Sequence, residues 1–368
     1  MKHSFFQIWL AALLMLAISP AHAQELLYDV DFVFDFDNRE SHYAYEQSGT
    51  IFGVRLTPTI GVGFSDSLAG DHRLMAGITY IQPFGADWHE ARVSPTLFYR
   101  YEQRGWRLHL GFVPYTELTQ ALPDYLRSDS LAFSYPNIQG ALFQYRSRWG
   151  YFDAMCDWRG MMTSSVREAF RLIGGGRFNY KWFYTGGFVQ MNHLSHSEKV
   201  LGVVDDVVVN PLLGLDMACF TPFDSLSLQV GYILTWNRDR RAHDSRLMHG
   251  LHVDAALRWR FIGFRNETYF GGNMMPFYST YGVIANQGDP RYQSRIYNRT
   301  DLYLYLVRRP FVTVYAGWNL LYLEGFKLSH QQQLVCRFNL QEALRFSRLS
   351  KEGRHAEHNR LLRTISYR

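Results

Sequence analysis

Residues Leu27 to Asp37 read LYDVDFVFDFD. Tyr28, Val30, Phe32, Phe34 and Phe36 share one parity, and Asp29, Asp31, Asp35 and Asp37 share the other with only Val33 among them. Side chains alternate faces along a strand, so this segment has one greasy wall and one acidic wall. In a water-soluble sandwich the aromatic wall is core. In a barrel that spans an outer membrane it meets lipid, and the aspartates line a wet interior. What precedes the strand, and how often its pattern returns, separates the two.

Upstream stand Lys2, an apolar run from Phe5 to Ile18, Pro20, and the small-x-small tripeptide Ala21, His22, Ala23. This is the order of a secretory signal peptide over residues 1–23, with the mature chain expected to begin at Gln24. No cysteine follows the cut, which disfavours a lipoprotein. Beyond it no run of about 18 apolar residues occurs, which disfavours a helical membrane protein.

The chain is 16% aromatic, yet its mean hydropathy is only −0.21. Averaging of lipid-facing and lumen-facing residues gives a transmembrane barrel that combination. The net charge of +5 resides at the ends, in Lys2 and in a segment from Gln341 to Arg368 that carries seven Lys or Arg against three Glu. A basic pI therefore gives no argument for nucleic acid. Cys156, Cys219 and Cys336, each isolated in a strand-like segment, read as small wall residues rather than a disulfide framework.

Alternating segments recur sixteen times, from 27–37 and 50–63 to 311–321 and 326–340, and helical periodicity is scarce before the end. Their connections alternate in size. Tight links at Gln103–Gly105, Ser147–Gly150, Lys181–Trp182 and Phe261–Ile262 are interleaved with long ones at Asn38–Gly49, Tyr115–Asn137, Leu194–Asp206, Asn237–His249 and Gly272–Arg299. The pattern predicts an all-β, transmembrane, antiparallel up-and-down barrel of about 16 strands over residues 24–340. The link Phe64–Asp71 is long for a turn and Tyr322–Gly325 short for a loop, so 14 and 18 strands stand as alternatives. Residues 341–368 form a basic tail, and both termini are expected in the periplasm.

The apolar parity assigns the interior. It puts Arg55, Arg73, Arg92, Arg100, Arg107, Arg258 and Arg260 in the lumen, with Asp254 and the four strand-one aspartates Asp29, Asp31, Asp35 and Asp37. Arg or Lys on the lipid face near the midplane costs about 2 to 4 kcal/mol, which constrains this sorting strongly. Fixed charge in a narrow channel selects permeants by sign. The plainer reading is that the arginines pair with neighbouring carboxylates. Trp106, Trp149, Trp182 and Trp259, all near short turns, form a candidate periplasmic girdle. The long loops 115–137 and 272–299 are large enough to fold inward.

Signals for catalysis are poor. His193, Ser195 and His196 can be drawn as base and nucleophile or as a metal pair, but no acid follows at a characteristic spacing and the solvated-loop reading prevails. Asp205 and Asp206 read as a polar loop tip ahead of a carboxylate pair or calcium contact. No G-x-S-x-G, H-E-x-x-H or P-loop occurs.

Trp106 to Met161 resembles the middle of phosphate-selective porin-like proteins, and the general character resembles porin-like proteins of Bacteroidetes. The matching positions are Gly111, Pro114 and Tyr115, then Arg127, Ser128 and Asp129, then Gly140. The resemblance implies a sixteen-stranded, trimeric porin that passes anions and carries no cofactor. The leading expectation is a non-enzymatic diffusion pore for small polar or anionic solutes, with outer-membrane lipid as its surroundings and no catalytic residues or metal. An outer-membrane enzyme of lipase or protease type, with active residues at the extracellular rim, is the second reading. An anchoring barrel is the third.

Overall fold

In the computed structural model of the protein, residues 24–43, 45, 48–325 and 327–351 are described. Residues 1–23, expected to be a signal peptide, and residues 352–368 of the tail lie outside them.

The strands are β1 (Gln24–Glu40), β2 (Gly49–Asp66), β3 (Gly70–Pro83), β4 (Arg92–Gln103), β5 (Trp106–Pro114), β6 (Asn137–Ser147), β7 (Gly150–Gly160) and β8 (Ala169–Tyr180). Then come β9 (Phe183–Leu194), β10 (Val204–Asp216), β11 (Ser225–Asp239), β12 (Asp244–Trp259), β13 (Ile262–Gly271), β14 (Ile296–Arg309), β15 (Val312–Leu323) and β16 (Leu328–Asn339). Each pairs antiparallel with its sequence neighbours, and β16 closes onto β1. The result is the expected sixteen-stranded up-and-down barrel.

Parity decides which side each residue takes. In β1, Leu27, Val33 and Asp37 are buried inside, whereas Tyr28 stands exposed outside. In β3 to β5, Leu74, Ile78, Leu97 and Leu110 are exposed on the outer wall, and Met75, Thr79, Phe98 and His109 are buried within. Trp106, Trp149, Trp182 and Trp259 are all exposed at the short-turn end. Gly111 and Gly140 face each other between β5 and β6, both with φ in the left-handed half at 121° and 153°. A Cβ on either would meet a carbonyl oxygen at 2.2 or 2.5 Å, so the motif glycines serve the wall itself.

Several boundaries differ from expectation. The link from Phe64 contracts to a three-residue turn, because β2 and β3 pair out to Asp66 and Gly70. The long loop expected at Asn237–His249 is instead a tight hairpin between Asp239 and Asp244. There the strands run on past the greasy band, where polar residues on both faces hide the alternation. Strand ten ends at Asp216, which leaves Cys219 exposed in a turn rather than in the wall. Arg260 is not a lumen residue. It occupies the turn after β12 with φ 52°, exposed, and its backbone N–H donates to Asp224.

At the short-turn end a helix, Leu340–Lys351, follows β16 directly. Asp29 receives its Gln341 N–H at 2.9 Å and the Asn339 side chain at 3.0 Å, which caps the helix and joins it to β1. Phe346 packs on Phe311 with ring centroids 5.4 Å apart.

Candidate active site on the outer wall

The two long loops, residues 115–136 and 272–295, fold into the lumen and pack on each other. Leu118, Tyr125 and Leu126 of the first join Met274, Met275 and Tyr292 of the second in one buried apolar cluster. Ser128 N–H donates to Gln287 O at 2.9 Å, and Asp289 N–H to Asp124 O at 2.8 Å. Arg171, fully buried on the wall, donates to Leu126 O, and Thr119 gives two hydrogen bonds to Asp153. Buried Arg299 reaches Asp124 at 3.1 Å, Asp129 at 3.0 Å and Asp301 at 2.7 Å. Burial pushes the Asp124 carboxyl well above its usual range, with Glu267 adding to it. Burial acts the same way on Asp129, but Arg299 and Arg39 overcome it and hold that group at about 2.

The charges assigned to the lumen mostly take nearby partners. Arg55 is buried and donates to Ala132 O of the first loop at 3.0 Å, with Asp31 at 3.4 Å. Arg92 is exposed over the Tyr135 ring at 4.5 Å. Arg73 pairs with Asp71 at 2.9 Å and Arg107 with Glu102 at 2.8 Å, and Arg100 lies 3.9 Å from both Glu102 and Glu117. Asp37 accepts from Arg39 and Gln331, and Asp254 from Arg265. Asp35 is half-buried and Arg258 is buried. Loop packing and local pairing together make this interior a braced plug.

The outer wall holds a different constellation. His193 lies on the outward parity of β9 and faces Asp205 of β10 in direct register. Their Nδ1 and Oδ1 atoms are 2.8 Å apart. A carboxylate only accepts, so Nδ1 donates, and in the neutral ring Nε2 keeps its lone pair. Arg240 adds Nε and Nη2 to Asp205 Oδ2, both at 2.8 Å. Asp205 is 4% exposed although it faces outward. From Phe183 at the start of β9 to His193 the strand climbs about 25 Å along the barrel axis, at about 3.3 Å per residue and a tilt near 40°. That equals the height of the apolar band, about 25 Å. The pair therefore sits where hydrocarbon gives way to headgroups.

The register extends this pair into a row. Trp158, Phe170, His193, Asp205 and Arg238 stand directly opposite one another in register across β7 to β11. Trp158 stacks on Phe170 with centroids 5.0 Å apart, and Phe170 lies 5.0 Å from the imidazole. Above the row the loops 161–168 and 195–203 pair with each other, and they expose Met161, Met162, Val166, Val200 and Leu201. Ser195 does not serve His193: its hydroxyl lies 3.1 Å from Nδ1 of His196. Asp206, the next residue, points inward to Asn192 and to Asn286 of the second lumenal loop. Among the described residues no group of three or more His, Cys, Asp or Glu is arranged to hold a metal ion.

The sequence marks out His193 and Asp205 without joining them. The acid comes from the facing strand, twelve positions on, and that strand starts at Val204, inside the stretch whose polar residues predict a loop. Extending the β10 alternation back from Val207 to Val204 would have put Asp205 outward and Asp206 inward.

Two solved structures of similar fold are a loop L8 deletion mutant of OmpT, an outer membrane protein of Vibrio cholerae, and Salmonella typhi OmpF in complex with daunomycin. The first matches with 10% identity and TM-score 0.52 over 86% of this chain and 99% of that one. The second matches with 10% identity and TM-score 0.50 over 86% and 97%. At such identity they show the fold alone, an outer-membrane β-barrel. No curated protein matches. The lipid A 3'-O-deacylase-type family matches residues 18–351. The family is enzymatic, which overturns the expectation of a non-enzymatic pore without catalytic residues, and the porin resemblance is one of architecture. With nearly its whole length matched, the chain belongs to the lipid A 3'-O-deacylase-type family.

Proposed function

We propose that this barrel is an outer-membrane hydrolase that cleaves an acyl ester of a lipid A-type glycolipid in the outer leaflet. In this reading the long-loop end of the barrel faces outside, and the short turns and both termini face the periplasm. The observation that carries it is the 2.8 Å His193–Asp205 pair on the lipid-facing wall, at the upper edge of the apolar band. A membrane-embedded substrate reaches that surface without leaving the leaflet, whereas a lumenal site would require the lipid to cross the wall.

His193 Nε2 takes a proton from water as the water oxygen attacks the ester carbonyl. Collapse of the tetrahedral intermediate breaks the acyl C–O bond, and the imidazolium returns its proton to the departing sugar oxygen. The products are a fatty acid and a free hydroxyl. Asp205 holds the tautomer and compensates the transient positive charge, in the manner of a hydrolase dyad. The loop-filled lumen supports this reading over diffusion of small anionic solutes along basic residues.

The test uses purified protein in detergent with lipid A, followed by mass spectrometry. Wild type is expected to release one acyl chain, and His193→Ala to lose about 10²- to 10⁴-fold in rate. Undiminished hydrolysis by that variant removes the dyad from the mechanism.

A further inference from the structure

The outer-wall row has two unlike ends. On the β7–β8 side are Trp158 and Phe170, stacked and apolar, below the exposed Met161, Met162, Val200 and Leu201. On the β11 side is Arg238, directly opposite Asp205 in register and exposed. Among the described residues, no hydrogen bond or ion pair engages its side chain. Arg240 is committed to Asp205, and Arg241 donates to Leu201 O at 3.1 Å. Arg238 is thus a cation on the lipid-facing parity, at headgroup level, with its donors free.

We propose that Arg238 is a specificity-determining residue that receives a phosphate of the lipid headgroup, so that substrate lies across the wall in one orientation with its scissile acyl chain over Phe170 and Trp158. This rests on the dyad reading and adds a direction to it. Strands are spaced about 4.8 Å apart, so two spacings put the Arg238 backbone about 10 Å from His193 on one side and Trp158 about 10 Å away on the other. A phosphorylated sugar bridges the first gap and an extended acyl chain covers the second. The guanidinium fork suits a phosphate dianion, and the headgroup region leaves it enough desolvation for the contact to discriminate. Within the row the aromatic end carries no charged side chain, so the reverse orientation leaves the phosphate without a cation in the row and lays the acyl chain against Arg238.

The experiment compares a bis-phosphorylated, tetra-acylated glucosamine disaccharide with the same compound after phosphatase treatment, in detergent micelles. Arg238→Gln is expected to raise KM about ten-fold for the phosphorylated substrate, the usual effect of losing a charge-assisted bond. Its kcat, and both constants for the dephosphorylated substrate, are expected to stay as in wild type. Arg238→Lys is expected to restore part of the KM. An equal effect on both substrates, or none, overturns the proposal. A second arm uses a brominated acyl chain and the His193→Ala protein with and without Trp158→Phe; the quenching that Trp158→Phe removes reports Trp158, and it is expected for the phosphorylated lipid and to weaken with Arg238→Gln. Quenching that ignores the phosphate overturns the orientation even with the dyad intact, whereas hydrolysis that survives His193→Ala removes the dyad and leaves binding at Arg238 to be judged by this arm.

Discussion

Asp205 and Asp206 are consecutive in β10, and their carboxylates serve opposite sides of the barrel wall. Asp205 meets His193 and Arg240 outside, and Asp206 meets Asn192 and the lumenal loop residue Asn286 inside. One strand thus presents the candidate catalytic acid to the leaflet and a loop anchor to the interior.

The two neighbours are expected to separate in effect. Asp205→Asn puts an amide beside Nδ1 and lets the wrong tautomer form, so hydrolysis should fall by at least about 10²-fold. Asp206→Asn should leave the rate within about two-fold, while protease cuts residues 272–295 more readily because one anchor is weakened. Equal losses of activity in both variants would tie the rate to wall integrity rather than to the dyad.

Arg299 joins Asp124 and Asp129 of the first lumenal loop to Asp301 of the wall. Arg299→Leu leaves Asp124, Asp129 and Asp301 close together with Arg265, 3.6 Å from Asp124, as the remaining neighbouring cation, and breaking a buried pair this way costs about 3 to 5 kcal/mol. The loops should then leave the lumen at lower denaturant concentration than the barrel unfolds. In planar bilayers wild type is expected to be silent and Arg299→Leu to show conductance steps. A wild-type channel with steady ohmic current would contradict the plugged interior.

Acidity acts on that junction with two signs. Asp129 is held at about 2 in the folded state, below the ordinary carboxylate value of about 3.9. Its contribution is therefore present above that ordinary value and is lost as pH falls towards 2. Asp124 is raised, so its contribution is present at low pH and is lost as pH rises through its folded value. The protection of amides in residues 115–136, with the intrinsic pH dependence of exchange divided out, should be greatest in mildly acidic buffer and lower on either side. A monotonic profile from pH 2 to 9 would show that one of the two directions is wrong.

Val189 stands exposed on the outward parity near the middle of β9, and Gln190 beside it is buried inside. Val189→Arg should cost about 2 to 4 kcal/mol in urea unfolding from lipid vesicles. A cost under about 0.5 kcal/mol would place that surface outside the hydrocarbon.

Much of this was visible in the chain. The alternation in Leu27–Asp37 predicted the side each residue takes, because a membrane penalises error at every second position. Turn chemistry marked the short ends, where Lys181 and Gly105 adopt positive φ. Strand ends on the long-loop side were harder to read. Beyond the hydrocarbon both faces of β10, β11 and β12 are wet, so parity loses its contrast just where Asp205 and Arg238 lie. The dyad also depends on register between β9 and β10, which one chain pattern does not specify. The inward course of the long loops was suggested by their length, but the Arg299 junction was not, since Asp124 and Asp129 stand 175 and 170 positions from Arg299.

The Asp29 clasp has a bearing on assembly. Asp29 and Asn339 are 310 positions apart, so the final pairing of β1 with β16 spans almost the entire polypeptide, while every other pairing joins adjacent hairpin partners. Contacts of such separation form late. Until then the nascent sheet has two unpaired rims able to recruit foreign strands. A carboxylate that engages both the last strand and the helix behind it ends that vulnerable interval by fastening the two rims together.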